Sequence, residues 1–168
     1  MGRLWAWQAA WRMALADPLT GVGLNNFYFN YFFYSSHWDG LNHAVHSTWF
    51  GVLAETGFLG LAVFVALLVT LCLSARRSLR HLGRCDAPPP SLHAAASAGL
   101  AGLLGTAVSG TFLTQGFTWP LYILAAFVTT IGQWCEEDRQ RVAAGRESFS
   151  ESHDTATRCR PPCAPAAT

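Results

Sequence analysis

The sequence predicts an all-α, polytopic membrane protein with about three transmembrane helices and one amphipathic helix on the outer face. Hydrophobic residues make up 51% of the 168 residues and charged residues only 12%, about half the charged fraction of a usual soluble domain. Charged side chains are nearly absent from two long windows, residues 48–74 and 94–134. The net charge of +1 argues against a nucleic-acid partner, because nucleic-acid binding normally needs a strong positive excess.

Residues 3–16 predict the outer helix, which ends before Asp17-Pro18. At about 100° per residue, Arg3 and Trp7 share one face of this helix, whereas Arg12 lies on the other side. The two arginines therefore cannot both point at one ligand from a straight helix. Tryptophans beside arginines suit a helix at the depth of the lipid headgroups, so an interfacial anchor without a ligand is an open alternative.

Aromatic residues and three histidines dominate the rest of the outer segment, which we place at residues 1–47. The aromatic stretch is either an interfacial belt or a platform for sugar or lipid. A zinc site formed by His37, His43 and His46 is possible on spacing, but no HExxH pattern is present. A histidine at the mouth of a membrane helix suits proton transfer, because imidazole titrates near neutral pH. A purely structural histidine is the alternative.

The two windows that are poor in charge predict the transmembrane region, residues 48–134. Glu55 is the only charged residue of the first window, and the second has none. A helix over the second window would be about 60 Å long, too long for one crossing of a hydrocarbon core of about 30 Å. Gly, Thr, Gln and Pro residues cluster near its middle and mark a break. We therefore predict spans at about 49–74, 94–112 and 118–134.

The second predicted span carries small residues at two repeats of four, Ala98-Gly102-Thr106-Gly110 and Ala101-Gly105-Ser109. Small residues at this spacing let another helix approach closely, which is how helices associate in lipid. The pattern predicts a helix packed on two sides, and it leads us to expect more helices than this chain contains. An Ala- and Gly-rich composition without structural meaning is the alternative.

Arginine clusters predict the orientation. The loop after the first span carries four arginines, and the tail after the third span, residues 135–168, carries several more. An odd number of spans puts both clusters on one side, which the positive-inside rule assigns to the cytoplasm. Residues 1–47 then lie outside. The tail is small, polar and Pro-containing, so we expect disorder from about Ala143 onward.

Glu55 lies about 14 Å below His46, on the opposite face, if the first span is one continuous helix. It is therefore not expected to orient His46. A carboxylate inside a span is costly and usually faces the protein interior. We expect Glu55 to act in helix packing or in a polar pairing with a helix outside this chain.

An ordered set of motifs covers about residues 2–65. It runs from Arg3 and Trp7 through DPLTGVG at 17–23 to HSTWFGVLAETGFLGL at 46–61. This set resembles the C-terminal core of the O-antigen ligase and O-antigen polymerase superfamily, with a weaker match through about residue 134. The last motif and the later GTFLTQGFTWPLY are most similar to the O-glycosylation ligases associated with exosortase systems.

The resemblance implies a multi-pass glycosyltransferase of the bacterial inner membrane, with its N-terminus periplasmic and its C-terminus cytoplasmic. Such proteins move a glycan from undecaprenyl diphosphate to an acceptor lipid, glycan or protein on the periplasmic face, without a cofactor or metal. The family's catalytic histidine, its general base, matches His46, and a substrate-binding arginine that holds the diphosphate matches Arg3. His43 and Arg12 match no family position, and a second family arginine lies in an earlier loop absent from this chain.

Two alternatives to the ligase interpretation stay open. Within the same class, the protein would be a polymerase that joins repeat units of a surface polysaccharide. In a different class, it would be a non-catalytic membrane scaffold or a truncated remnant. Because the chain begins directly before the Arg3 motif, the resemblance leads us to expect a fragment of a larger helical bundle, with a missing N-terminal half as a partner and no transferase activity on its own.

Overall fold

The structure is a computed structural model that describes residues 2–84, 89–114 and 116–158, with side chains up to residue 144. Over these residues it is all-helical, which confirms the predicted fold class. Its elements are α1 (Gly2–Ala16), α2 (Phe27–Tyr34), α3 (Thr48–Leu82), α4 (Pro90–Ser109) and α5 (Trp119–Arg158). The chain divides into two compact units, Met1–Gly132 and Gln133–Thr168, and every candidate functional residue belongs to the first.

Helices α3 and α4 are long and apolar enough to cross a membrane. They contain most of the first two predicted spans. The third predicted span, 118–134, coincides with the start of α5. Over the described residues α5 does not reach the hydropathy of the other two helices, because Trp, Pro, Tyr and Gln are interspersed among its apolar residues. The third crossing therefore stays a prediction.

Residues 143–158 of the second unit are helical, where the sequence led us to expect disorder. Helix α5 continues past Ala143 to Arg158. Glu, Arg, Gln and Ala are good helix formers, and ion pairs one turn apart support the helix: Arg139 with Glu136 at 3.2 Å and Arg141 with Glu137 at 3.8 Å. Residues 159–168 of the predicted tail lie outside the described residues.

Helix α3 is broken at Gly57, where φ is 69° and ψ is −170°. Glycine adopts this conformation readily because it has no Cβ. The loop at residues 18–23 lies against the break and supplies partners for backbone groups that the helix leaves open. Three backbone hydrogen bonds join the two: Val22 N to Ala54 O at 2.9 Å, Gly23 N to Glu55 O at 3.1 Å, and Phe58 N to Pro18 O at 2.8 Å. The span is therefore not the continuous helix that we assumed below His46.

The DPLTGVG motif needs its first glycine for this contact. Gly21 has a φ of 62°, and a Cβ at this position would collide with the backbone of Ala54 and Glu55. A Cβ at Gly57 would collide with the backbone of Pro18. The two glycines thus let the loop and the broken helix approach until their main chains hydrogen-bond directly.

Two layers of apolar residues hold the first unit together. In the outer layer, the small face of α1 packs on α2 and on the start of α3; the buried residues are Ala6, Ala9, Ala10, Met13, Phe27, Tyr31, Val45 and Ala54. In the span layer, α3 packs on α4 and on the first part of α5; the buried residues include Val52, Phe64, Leu68, Leu71, Ala75, Leu103, Leu121 and Val128.

The small residues of α4 are closely packed on one side. Gly102 faces Leu124 of α5, and Gly110 faces Thr48 of α3. On the second predicted face Gly105 is exposed, and no described atom lies within 4 Å of the place where its Cβ would be. Within the described residues, close packing is therefore observed on one of the two predicted sides.

Candidate functional site

Helix α1 is fastened to the segment that precedes α3. The indole N–H of Trp7 donates to the carbonyl of Val45 at 3.0 Å, and its ring stacks on Phe50 with centroids 5.1 Å apart. Arg3 lies one turn before Trp7, and Val45 directly precedes His46. Trp7 therefore links the element that carries Arg3 to the segment that carries His46.

His46 has a φ of 46°, a left-handed conformation that is uncommon for a residue with a side chain. Such a conformation costs about 1–3 kcal/mol and persists only where its surroundings fix it. The next two residues, Ser47 and Thr48, are buried and supply that constraint. They hydrogen-bond the end of α4: Thr48 N to Gly110 O at 2.7 Å, Ser47 Oγ to Gly110 O at 3.5 Å, and Thr48 Oγ1 to Leu113 O at 2.6 Å.

The three residues of the HST sequence at 46–48 thus have different roles. Ser47 and Thr48 are anchors, while the imidazole of His46 is exposed and makes no hydrogen bond with another described residue. Arg3 is exposed in the first turn of α1 and likewise forms no hydrogen bond or ion pair with a described residue. The structure places both groups on the outer layer, without direct contact between them. Both remain available to a ligand.

Arg12 lies away from Arg3, as the helical spacing predicts. Its Nη1 donates to the carbonyl of Tyr34 at 3.4 Å, at the end of α2. This contact helps to position α2 against α1.

A pair that the sequence interpretation missed lies between α2 and α3. The Nε2 of His43 is 2.9 Å from Oδ2 of Asp39, and its ring meets that of Tyr31 edge-on at 5.5 Å. The hydrogen bonds from His43 and from the backbone N–H of Leu41 lower the pKa of Asp39. The spacing of four residues between a carboxylate and an imidazole was the available signal. An imidazole oriented by a carboxylate is an arrangement that general bases use.

This pair borders a cavity of about 380 Å³ beside the N-terminus of α1, which His37 and Trp5 also line. The rings of Trp5 and His37 are 3.7 Å apart. Over the described part of the chain, no three His, Cys, Asp or Glu side chains are grouped so that they could hold a metal ion.

Glu55 finds its polar partner inside the chain. Its Oε1 accepts a hydrogen bond from the backbone N–H of Phe27 at 3.4 Å, at the first residue of α2. The sequence led us to expect helix packing or a partner on a helix outside the chain. The observed partner follows from the break at Gly57, because the break brings the loop before α2 against this part of α3.

Comparison with known proteins found a match for the N-terminal part of the chain. Residues 1–65 match the sequence model of a family described as O-antigen ligase. No curated protein matches the chain, and no solved structure does. The matched residues include α1, α2, the loop at 18–23, the break in α3, and both Arg3 and His46. This part of the chain is therefore similar to O-antigen ligases. The match supports the predicted resemblance to the O-antigen ligase and polymerase superfamily, and with it a membrane protein of that type.

Proposed function

We propose that the chain forms part of an O-antigen ligase-type glycosyltransferase, which moves a glycan from undecaprenyl diphosphate to an acceptor hydroxyl on the periplasmic face of the inner membrane. The observation that carries this proposal is the match over residues 1–65, which includes both Arg3 and His46. The closer kinship with the O-glycosylation ligases of exosortase systems is part of the same proposal.

His46 is the general base of this reaction. A hydroxyl is a weak nucleophile, and a neutral imidazole can take its proton as the oxygen attacks the anomeric carbon of the donor sugar. The bond from that carbon to the diphosphate oxygen breaks, and its electron pair leaves with the diphosphate. The exposed imidazole supports this role, as does the anchoring of Ser47 and Thr48, which fixes the backbone beneath the reacting group.

Arg3 holds the diphosphate. Its planar guanidinium can pair two phosphate oxygens at once, which a lysine cannot do. Arg3 also lies in the first turn of α1, where unpaired backbone N–H groups and the helix dipole favour an anion. The link through Trp7 to Val45 keeps this end of α1 attached to the segment that carries His46.

The site faces the periplasm, and the C-terminal end of α3 faces the cytoplasm. Arg76, Arg77 and Arg80 are exposed at that end, which agrees with the positive-inside rule. The membrane-bound donor would then meet Arg3 and His46 at the depth of the headgroups.

The test is glycan transfer from the undecaprenyl-diphosphate donor, measured in native membranes that also supply the expected N-terminal half, with variants at matched abundance. His46→Ala should lower the rate about 10²–10⁴-fold, the usual effect of losing a general base, while His43→Ala should be tolerated. Arg3→Lys should behave as a loss, because it keeps the charge but not the two-pronged contact. If His43→Ala were as damaging as His46→Ala at equal abundance, the assignment of His46 as the single base would be wrong, and a site that uses both histidines would replace it.

A further inference from the structure

A cavity of about 550 Å³ lies beside the break in α3. Glu55 lines it, with residues from the loop before α2, from the segment between α4 and α5, and from the start of α5; those that matter here are Asn25, Thr114, Phe117, Thr118 and Tyr122. None of the described residues that line it is basic.

Glu55 is held in place at this cavity from two sides. Its backbone carbonyl accepts the N–H of Gly23 at 3.1 Å, and its Oε1 accepts the N–H of Phe27 at 3.4 Å. A carboxylate offers about four acceptor sites on its two oxygens. Acceptor capacity therefore remains for a ligand, and the group that offers it is already ordered, which lowers the entropic cost of binding.

The remaining lining groups complement a sugar. The hydroxyls of Thr114 and Tyr122 and the amide of Asn25 can both donate and accept hydrogen bonds. The rings of Phe117 and Tyr122 offer apolar surface to the C–H groups of a pyranose. A negative charge without a basic neighbour among the described lining residues disfavours a diphosphate, so the cavity suits a neutral polyhydroxyl ligand rather than the anionic part of a lipid-linked donor.

We propose that this cavity binds a neutral saccharide and that Glu55 accepts hydrogen bonds from its hydroxyl groups. The inference rests on the proposed function only in assigning the saccharide to the acceptor or to the sugar of the donor. The cavity wall is tied to the segment of His46, since Thr48 Oγ1 hydrogen-bonds the carbonyl of Leu113 at 2.6 Å, directly before Thr114. A saccharide bound here would lie next to the segment that carries the base.

Binding to the purified chain in lipid nanodiscs tests the site directly, with methyl β-D-glucopyranoside and inorganic pyrophosphate as probes and saturation-transfer NMR as the readout. Glu55→Gln keeps an acceptor for the N–H of Phe27 but removes the charge. The affinity for the glucoside should therefore fall about tenfold, which is the effect expected when a hydrogen bond loses its charged acceptor. Pyrophosphate binding should be unchanged or stronger. Tyr122→Phe removes a wall hydroxyl without touching the break and should weaken glucoside binding severalfold.

The matched control is Glu136→Gln, which removes an exposed carboxylate of the second unit and should change neither affinity. If the wild-type chain bound no glucoside, or if Glu55→Gln and Tyr122→Phe both bound it as the wild type does, the proposal would be overturned. Tyr122→Phe keeps the test decisive even if a Glu55 variant fails to fold.

Transfer kinetics in native membranes identify the source of the saccharide. Glu55→Gln should raise KM for the acceptor if the cavity holds the acceptor, or KM for the lipid-linked donor if it holds the donor sugar. Unchanged KM for both substrates would contradict the inference. Failure of the proposed function would be different: native membranes that contain the wild-type chain and the expected N-terminal half would transfer no glycan, yet glucoside binding would still respond to Glu55→Gln.

Discussion

Gly57→Ala should weaken the contact between the broken helix α3 and the loop at residues 18–23. The conformation at Gly57, φ 69° and ψ −170°, is essentially restricted to glycine and costs another residue about 1–3 kcal/mol. The new Cβ would also collide with the backbone of Pro18, so one or two of the three bridging hydrogen bonds must lengthen, at about 0.5–1.5 kcal/mol each. The local stability should therefore fall by roughly 2–5 kcal/mol.

Hydrogen exchange of the chain in nanodiscs, followed by mass spectrometry, measures this loss. Peptides that cover residues 18–23 and Phe58 should exchange roughly 30-fold faster or more, since each 1.4 kcal/mol is a factor of ten. Gly40→Ala is the control: Gly40 also has a positive φ, 93°, but no described atom lies near its missing Cβ. If Gly57→Ala exchanged no faster than Gly40→Ala in these peptides, the backbone bridge would not hold the two parts together.

Three further predictions concern the outer segment and the topology. Because the pKa of Asp39 is lowered from 3.8, its hydrogen bond with His43 should persist above pH 3.8 and be lost as the pH falls through the lowered value. The NMR shifts of the His43 ring should follow that loss, and this acid-induced change in shift should be absent in Asp39→Asn. Thr48→Val should destabilise the first unit by about 0.5–1.5 kcal/mol in denaturant unfolding, because it removes the bond to Leu113; an unchanged midpoint would contradict this anchor. A reporter that is active only in the periplasm should be inactive when fused at Ser91, and activity there would reverse the predicted orientation.

The sequence predicted the features that depend on local spacing. The period of a helix placed Arg3 and Trp7 on one face and Arg12 on another, and the structure agrees. Hydropathy likewise identified α3 and α4 as the candidate spans. These properties depend on residues that are close along the chain, so the pattern itself contains them.

The features that depend on distant pairing were not predictable in the same way. Gly57 stands in an apolar run like any helical glycine, and only the loop at 18–23 shows why the helix breaks there. The partner of Glu55 is a backbone N–H 28 residues earlier, which no periodicity indicates. The spacing of four residues between Asp39 and His43 is visible in the sequence, but spacing alone does not show that this segment, which is not helical, brings the two side chains within 2.9 Å.

The break in α3 divides the helix into a long part that matches the thickness of a membrane core and a short part that would lie outside it. The whole helix has 35 residues and would be about 52 Å long, far more than a hydrocarbon core of about 30 Å. The uncharged stretch from residue 56 to residue 75 has 20 residues, about 30 Å of helix, so it fills that core by itself. With these residues in the core, the two turns before Gly57 would lie in the headgroup region together with α1 and α2. Glu55 would then avoid the cost of a charge at the bilayer centre, and a water-soluble sugar could reach it without entering the hydrocarbon.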